Sequence, residues 1–243
     1  MATTKGSKHN VNEDSVIALT WSDIPRFTGE EAGLFIMADG MVMPDSGIGA
    51  SQLAIQIVVQ EIKAAIFQIN DVTISQIMIA AVQKANLQVI AEVPQDGTTI
   101  TAALLLGNQV HIAHVGDSRL YSFEGQTLAQ MISDHAKIQR VVSAGPLNAD
   151  FEDFPIRKVL YRALGQTETI EVDFRSEQVT PNTQLLLCTD GLISLDSPLT
   201  EADLLPIISK NEPQKACDQL IELAQKSGST DDISVIVIQI NSQ

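Results

Sequence analysis

The sequence predicts an α+β fold with antiparallel sheets, and the order of its apolar segments carries that prediction. Strand-like runs follow one another through short turns such as Gly107-Asn108 and Glu124-Gly125, which suit antiparallel hairpins. Helical patterns come in pairs, whereas a doubly wound parallel fold would alternate single helices with strands. With 243 residues, 44% of them hydrophobic and 4% aromatic, one large domain over residues 1–243 with an aliphatic core is expected.

The strands are predicted from short apolar runs bounded by turn residues. The central part of the chain, after two helical segments, is especially rich in such runs, and the last run closes the sequence. The predicted strands cover residues 16–21, 33–38, 98–106, 110–115, 119–123, 128–132, 169–179, 184–189 and 233–240.

The helices are predicted from apolar residues at helical spacing, over residues 49–69 and again over 74–89. Thr200 and Asp203 resemble a capping box that starts a helix through residue 209, and Pro213 opens another that ends near Gly228. Residues 135–165 mix charges with little periodicity. We interpret them as a short helix, an irregular loop and a second short helix near residues 157–164, and such a segment beside a site can act as a lid.

Carboxylates recur at the ends of the apolar runs. The clearest pair is Asp39-Gly40 and Asp190-Gly191, where nearly identical strands end in Asp-Gly. Acidic residues crowded at sheet ends repel one another unless a cation neutralises them, and a ligand set without Cys or His favours Mg²⁺ or Mn²⁺ over zinc. The five acidic sites are Glu13-Asp14, Asp39, Asp117, Asp190 and Asp231-Asp232.

Composition excludes several classes of partner. Fifteen Lys and Arg against 30 Asp and Glu leave a net charge of −15, which argues against nucleic acid or an anionic membrane as the main partner. Cys188 and Cys217 provide no disulfide framework and fit a reducing compartment. No signal peptide or apolar stretch of membrane-spanning length is visible, so a cytoplasmic protein is expected.

Several hydrolytic chemistries are excluded by missing motifs. Neither cysteine stands in a Cys-x5-Arg loop, and the sequence lacks Gly-x-Ser-x-Gly, a Gly-x4-Gly-Lys-Ser/Thr loop and His-Glu-x-x-His. A metal-activated water is therefore the best nucleophile available.

Eight short motifs, in order along nearly the whole chain, together resemble the bacterial branch of the type 2C metal-dependent protein phosphatases. The match extends from Gly6 to Ile240, and its specificity comes from the order of motifs that are individually modest. They are Asn12-Glu-Asp14, Ala38-Asp-Gly-Met41, Gly97-Thr-Thr99, Gly116-Asp-Ser-Arg119, Ser133-Asp-His135, Arg162-Ala-Leu-Gly165, Cys188-Thr-Asp-Gly-Leu192 and Gly228-Ser-Thr-Asp-Asp-Ile-Ser234.

This resemblance implies a four-layer α-β-β-α sandwich that hydrolyses phosphoserine and phosphothreonine in proteins at a binuclear Mg²⁺ or Mn²⁺ centre. It implies phosphorylated protein substrates, and with them a cognate Ser/Thr kinase system. Residues 135–165 match the flap near the substrate entrance. By motif, the resemblance implies that Asp39 bridges two ions and that Gly40 offers its carbonyl to one of them. Asp190 and Asp231 hold the other ion, while Glu13 and Asp14 act nearby or through water. Asp117, together with Asp190, matches a third metal position.

Three departures from the family pattern bear on catalysis. The family places an arginine that binds the substrate phosphate where this chain has His9. We predict His9 as a substrate-binding and catalytic residue, and Asp39, Asp190 and Asp231 as the other catalytic residues. A histidine near its usual pKa of about 6.5 is mostly neutral at pH 7, whereas arginine is always charged. Val42-Met43-Pro44 replaces the usual Gly-Gly-His, and Asp232 replaces an asparagine and adds a charge or an extra ligand.

Three functions are consistent with these residues. The first is a working protein Ser/Thr phosphatase, because all the metal positions are present. The second is a catalytically weak or inactive binding module, which His9 and Val42-Met43-Pro44 favour. The third is a hydrolase of small phosphorylated metabolites, which shares the chemistry and differs in its pocket.

Overall fold

A computed structural model of the chain describes residues 1–8, 10–22, 24, 31–41, 49–68, 72–140, 156–195 and 197–241. These residues form two main antiparallel sheets of five strands each, a separate two-stranded sheet, and four helices. The α+β prediction is confirmed. In chain order the elements are β1 (Ala2–Thr4), β2 (Ser15–Trp21), β3 (Ala32–Ala38), α1 (Ala50–Ile66), α2 (Ile74–Glu92), β4 (Ile100–Leu106), β5 (Gln109–Val115), β6 (Arg119–Glu124), β7 (Thr127–Gln130), β8 (Ala136–Arg140), β9 (Ile156–Leu160), β10 (Asp173–Gln178), β11 (Gln184–Cys188), α3 (Glu201–Lys210), α4 (Pro213–Lys226) and β12 (Ile233–Gln239).

The two main sheets face each other. The first sheet has the strand order β10-β5-β4-β3-β2, and the second has the order β1-β12-β11-β6-β7, with every neighbouring pair antiparallel. Helices α1 and α2 pack on the first sheet, while α3 and α4 pack on the second.

The core formed by the described residues consists of three apolar layers, because alternate residues of a strand point to opposite faces of its sheet. In β12, Val235 and Val237 pack in the layer that contains α3 and α4, whereas Ile236 and Ile238 pack between the two sheets. Met37 of β3 lies in the same middle layer, opposite the α1 and α2 side of its sheet. This arrangement confirms the four-layer α-β-β-α sandwich.

The helix starts follow from local chemistry. Thr73 and Gln76 form a capping box before α2, and the side chain of Asp203 accepts a 2.8 Å bond from the backbone N–H of Thr200 before α3, as predicted. Pro213 opens α4 at a position where a missing N–H has no cost. None of the helices in the described ranges is long and apolar enough to span a membrane.

In the described parts of residues 135–165, the predicted short helices are wrong. Strands β8 and β9 pair antiparallel there, with Ala136 opposite Leu160. Their partner segments are separated in sequence, so local periodicity does not reveal the pairing. Residues 141–155, the centre of the predicted flap, lie outside the described residues. Strand β1, which was not predicted, is three residues long and pairs with β12.

Candidate metal centre

Three of the acidic strand ends meet at one place in the sandwich. Asp39 follows β3, Asp117 follows β5 and Asp190 follows β11. One carboxylate oxygen of each lies within 4.8 Å of the other two. Because β3 and β5 belong to the first sheet and β11 to the second, the cluster forms where the ends of both sheets come together.

The backbone of Asp39 is held in place by the two residues that precede β4. The Asp39 carbonyl accepts bonds from Thr98 Oγ1 at 2.8 Å and Thr99 N at 2.9 Å, and Asp39 N donates to Thr99 Oγ1 at 3.0 Å. Burial, together with the charges of Asp190, Asp14 and Asp117, raises the pKa of the Asp39 carboxyl well above its usual range. The carboxylate form therefore needs a cation beside it.

Asp14 adds a buried carboxylate just before β2. Thr189 Oγ1 donates to its Oδ2 at 3.0 Å, whereas its Oδ1 is buried with no hydrogen-bond partner among the described residues. Burial, opposed by nearby hydroxyls and reinforced by Asp190 and Asp232, raises the pKa of Asp14 to about 7. A buried carboxylate oxygen without a donor is suited to a metal ion or to a water bound to one.

The turn after Asp39 packs tightly on the segment before Asp14. Gly40 N donates to the Glu13 carbonyl at 3.2 Å, and Ser51 Oγ donates to the same carbonyl at 2.6 Å. A Cβ on Gly40 would stand 2.7 Å from that carbonyl oxygen, so this close approach requires glycine. The segment Glu13-Asp14 and the turn Asp39-Gly40 are therefore packed together.

The loop that carries Asp117 is fixed by His135. Gly116 N donates to His135 Nδ1 at 3.0 Å, and His135 N donates to the Gly116 carbonyl at 2.6 Å. Gly116 has a φ of +122°, and a Cβ there would overlap the side chain of Thr99. The position before Asp117 therefore requires glycine.

Asp231 and Asp232, in the loop before β12, have different hydrogen-bond partners. Asp231 Oδ2 accepts a 2.9 Å bond from Lys8 Nζ at the cluster. Asp232 is buried, and its two oxygens accept bonds from Gly6 N and Glu13 N, each at 2.7 Å. Asp232 was predicted to add a charge or an extra metal ligand. In the structure its carboxylate links the N-terminal segment to the loop before β12.

Lys158, on β9, is a residue of the described site that the sequence did not reveal. Its Nζ lies 2.8 Å from Asp117 Oδ2 and also contacts Asp190 Oδ2. Burial lowers the pKa of Lys158, but Asp190 and Asp117 more than offset this and raise it above its ordinary value. A lysine within a charged segment gives no signal of such a position, because many surface lysines share that context.

A cavity of about 460 Å³ opens beside the carboxylates. Lys8 and Lys158 stand on its walls with Asp190 and Asp231, so charges of both signs border it. The remaining wall is mostly small, polar or aliphatic, and includes Leu192, Ser194, Pro198, Leu199 and Ser229.

Two of the three departures from the family pattern lie outside the described residues, namely His9 and Val42-Met43-Pro44. Of the predicted metal residues, Asp39, Asp117 and Asp190 form the close cluster. Asp14 interacts electrostatically with Asp39 and Asp190, and Asp231 reaches the cluster beside Lys8.

We predict that Asp14 makes the stability of the metal-free protein fall as the pH rises. Its folded pKa of about 7 exceeds the unfolded value, so the stability that it contributes is fully present below the unfolded pKa and is lost as the pH rises through the folded pKa. Thermal unfolding in EDTA between pH 5 and 7.5 should show wild type losing stability relative to Asp14→Asn. Parallel pH profiles of the two proteins would contradict the prediction.

Comparison with known proteins supports a phosphatase fold. A family model described as Stage II sporulation protein E (SpoIIE) matches residues 153–241. The serine/threonine phosphatase stp of Listeria welshimeri is 31% identical over 215 residues, which is 86% of this chain and 84% of that protein. This chain belongs to the bacterial type 2C (PPM) family of serine/threonine phosphatases. The resemblance inferred from the eight motifs is confirmed.

Solved PPM phosphatases share the fold over its full extent. The Mycobacterium tuberculosis serine/threonine phosphatase PstP/Ppp superimposes with a TM-score of 0.73 at 26% identity, covering 99% of this chain and 97% of that one. The catalytic domain of PstP in complex with two manganese ions superimposes with a TM-score of 0.70 at 25% identity, covering 99% and 96%. The cluster described above therefore lies in a member of a family in which a related structure holds two Mn²⁺ ions.

Proposed function

We propose that this protein is a metal-dependent protein serine/threonine phosphatase that hydrolyses phosphoserine and phosphothreonine with two Mg²⁺ or Mn²⁺ ions. The observation that carries the proposal is the approach of the Asp39, Asp117 and Asp190 carboxylates to within 4.8 Å, in a chain of the PPM family. We further propose that residues 1–243 act as one catalytic domain, with residues 135–165 as a flap beside the substrate entrance.

The donors present suit hard divalent ions. The cluster offers carboxylate oxygens without Cys or His, and Asp14 Oδ1 is a buried acceptor without a donor among the described residues. When bound, such ions supply a water of lowered pKa and neutralise phosphoryl oxygens. We propose that Asp39 would bind both ions and that the Gly40 carbonyl would bind one of them. Asp190 and Asp231 would bind the other ion, and Glu13 and Asp14 would act nearby or through water. Asp117 and Asp190 would hold a cation at a third position.

The chain's own cations would orient the substrate. Lys8 Nζ is 2.9 Å from Asp231 and borders the cavity, so it can donate to a phosphate that enters beside that ligand. His9, the next residue, remains our proposed phosphate-binding and catalytic group by its place in the motif. The adjacent positions suggest that Lys8 compensates for the missing arginine.

The proposed partners follow from this chemistry. A phosphorylated protein would be the substrate, and a Ser/Thr kinase system would supply it. The net charge of −15 makes nucleic acid and anionic membrane poor partners. The cysteine usage is in keeping with a cytoplasmic location, since Cys188 and Cys217 are free and buried.

Metal removal and return test the function. Protein stripped with EDTA should not hydrolyse a phosphothreonine peptide or p-nitrophenyl phosphate, and Mn²⁺ or Mg²⁺ should restore turnover, because the carboxylate cluster alone repels a phosphate dianion. A small phosphorylated sugar, assayed in parallel, distinguishes protein from metabolite substrates.

Three results of this assay have distinct meanings. Faster turnover of the phosphopeptide than of the sugar phosphate supports the protein phosphatase. The reverse order favours the metabolite hydrolase. No turnover of any substrate, with Mn²⁺ binding still measurable by calorimetry, would indicate a binding module.

A further inference from the structure

Lys158 places an ammonium group inside the carboxylate cluster. Its Nζ lies 2.8 Å from Asp117 Oδ2 and also contacts Asp190 Oδ2. The Lys158 side chain is 17% exposed, and the Asp117 side chain is 6% exposed. This ion pair is therefore shielded from solvent, where salt screens little and a lost partner leaves a buried charge.

The position of Lys158 is built into the fold. It lies within β9, where it pairs with Ile138 of β8, and its neighbour Val159 pairs with Lys137. The Asp117 loop is in turn fixed through Gly116 and His135. Both partners of the ion pair are thus held by backbone hydrogen bonds.

The ammonium lies at one edge of the cluster. Its ion pairs are with Asp117 and Asp190, whereas Asp231 pairs with Lys8. A divalent ion on the Asp117–Asp190 edge would have to displace the ammonium, because two cations cannot share the same carboxylate oxygens at such distances without strong repulsion.

We propose that Lys158 is a resident cation that occupies the Asp117–Asp190 edge, so that this protein holds two divalent ions and excludes a third. The inference rests on the proposed function, since it requires the metal centre around Asp39. Lys158 gives this edge a single positive charge that is independent of the metal concentration. No third metal ion is then present at this edge to activate a water.

Counting bound Mn²⁺ tests the proposal without measuring activity. Folded protein is equilibrated with Mn²⁺, and the ions per chain are determined by mass spectrometry of the metal and by calorimetry. We expect two ions in wild type and in Lys158→Arg, which keeps the charge, and three in Lys158→Met, which opens the edge. Asp117→Asn added to Lys158→Met should return the count to two.

Matched controls separate local from general effects. Lys226→Met removes another paired lysine, bound to Glu222 at 3.0 Å on the surface of α4, and should leave two ions. Circular dichroism verifies folding, and Lys158→Gln serves if Lys158→Met does not fold.

The outcomes distinguish this inference from the proposed function. Three ions in wild type would overturn the role of Lys158 and leave the phosphatase intact. Two ions in a folded Lys158→Met or Lys158→Gln variant would overturn it as well. No bound Mn²⁺ in wild type would instead contradict the metal centre itself, and the inference with it.

Discussion

Replacing Asp39 by asparagine is expected to lower kcat/KM for a phosphothreonine peptide by about 10³-fold or more. Asp39 is the carboxylate proposed to contact both ions, and it has Asp14, Asp117 and Asp190 around it. Losing several kcal/mol of charge stabilisation corresponds to this factor, because about 1.4 kcal/mol is tenfold in rate. Steady-state kinetics at saturating Mn²⁺, with calorimetric Mn²⁺ titration beside it, measures both consequences.

The control for this change is Asp218→Asn. Asp218 is an exposed aspartate on α4 that accepts a bond from Gln214, and it stands apart from the proposed ligands. It should keep wild-type kinetics and Mn²⁺ binding. If Asp39→Asn kept its Mn²⁺ affinity and lost less than tenfold in kcat/KM, Asp39 would not be the central ligand.

Replacing Gly191 by alanine is expected to destabilise the protein by about 3 kcal/mol and to weaken Mn²⁺ binding. A Cβ at this position would overlap the backbone carbonyl of Asp232, and a backbone atom cannot swing aside as a side chain can. Gly191 follows Asp190, and its carbonyl accepts a 2.7 Å bond from Ser229 Oγ. The clash therefore pushes apart the two loops that carry Asp190 and Asp231.

Thermal unfolding measures this effect. For a chain of this size, about 3 kcal/mol corresponds to a decrease in Tm of roughly 6–12 °C. Gly125→Ala is the matched control: Gly125 has a φ of +63° and no atom within 4 Å of an added Cβ, so only backbone strain of about 1 kcal/mol is expected. Equal losses of stability in the two variants would show that the packing of Gly191 on Asp232 is unimportant.

Several carboxylates lie close together at this centre, so the ionisation of each depends on the charges around it. Asp39 and Asp14 have raised pKa values, chiefly from burial, whereas the pKa of Asp190 is lowered because Lys158 offsets its burial. Cations therefore decide which of these groups are ionised at neutral pH. Two of those cations, Lys8 and Lys158, belong to the chain itself.

The local sequence pattern was sufficient to predict most helices and strands and to identify the acidic positions. Helical spacing predicted α1 and α2, and the repeated Asp-Gly after an apolar run identified Asp39 and Asp190, because periodicity and turn chemistry are encoded within a few neighbouring residues. The order of the motifs was enough to indicate the family, which a relative at 31% identity then established.

Tertiary structure alone decided what depends on contacts between distant segments. The β8–β9 pair has no local signature, so the prediction of a helix over residues 157–164 was wrong. Asp232 binds Gly6 and Glu13 more than 200 positions away in the chain, and Lys158 reaches Asp117 and Asp190 from a strand that had not been predicted. An ion pair or a tether between remote residues leaves no trace in local spacing, because the fold alone brings its two partners together.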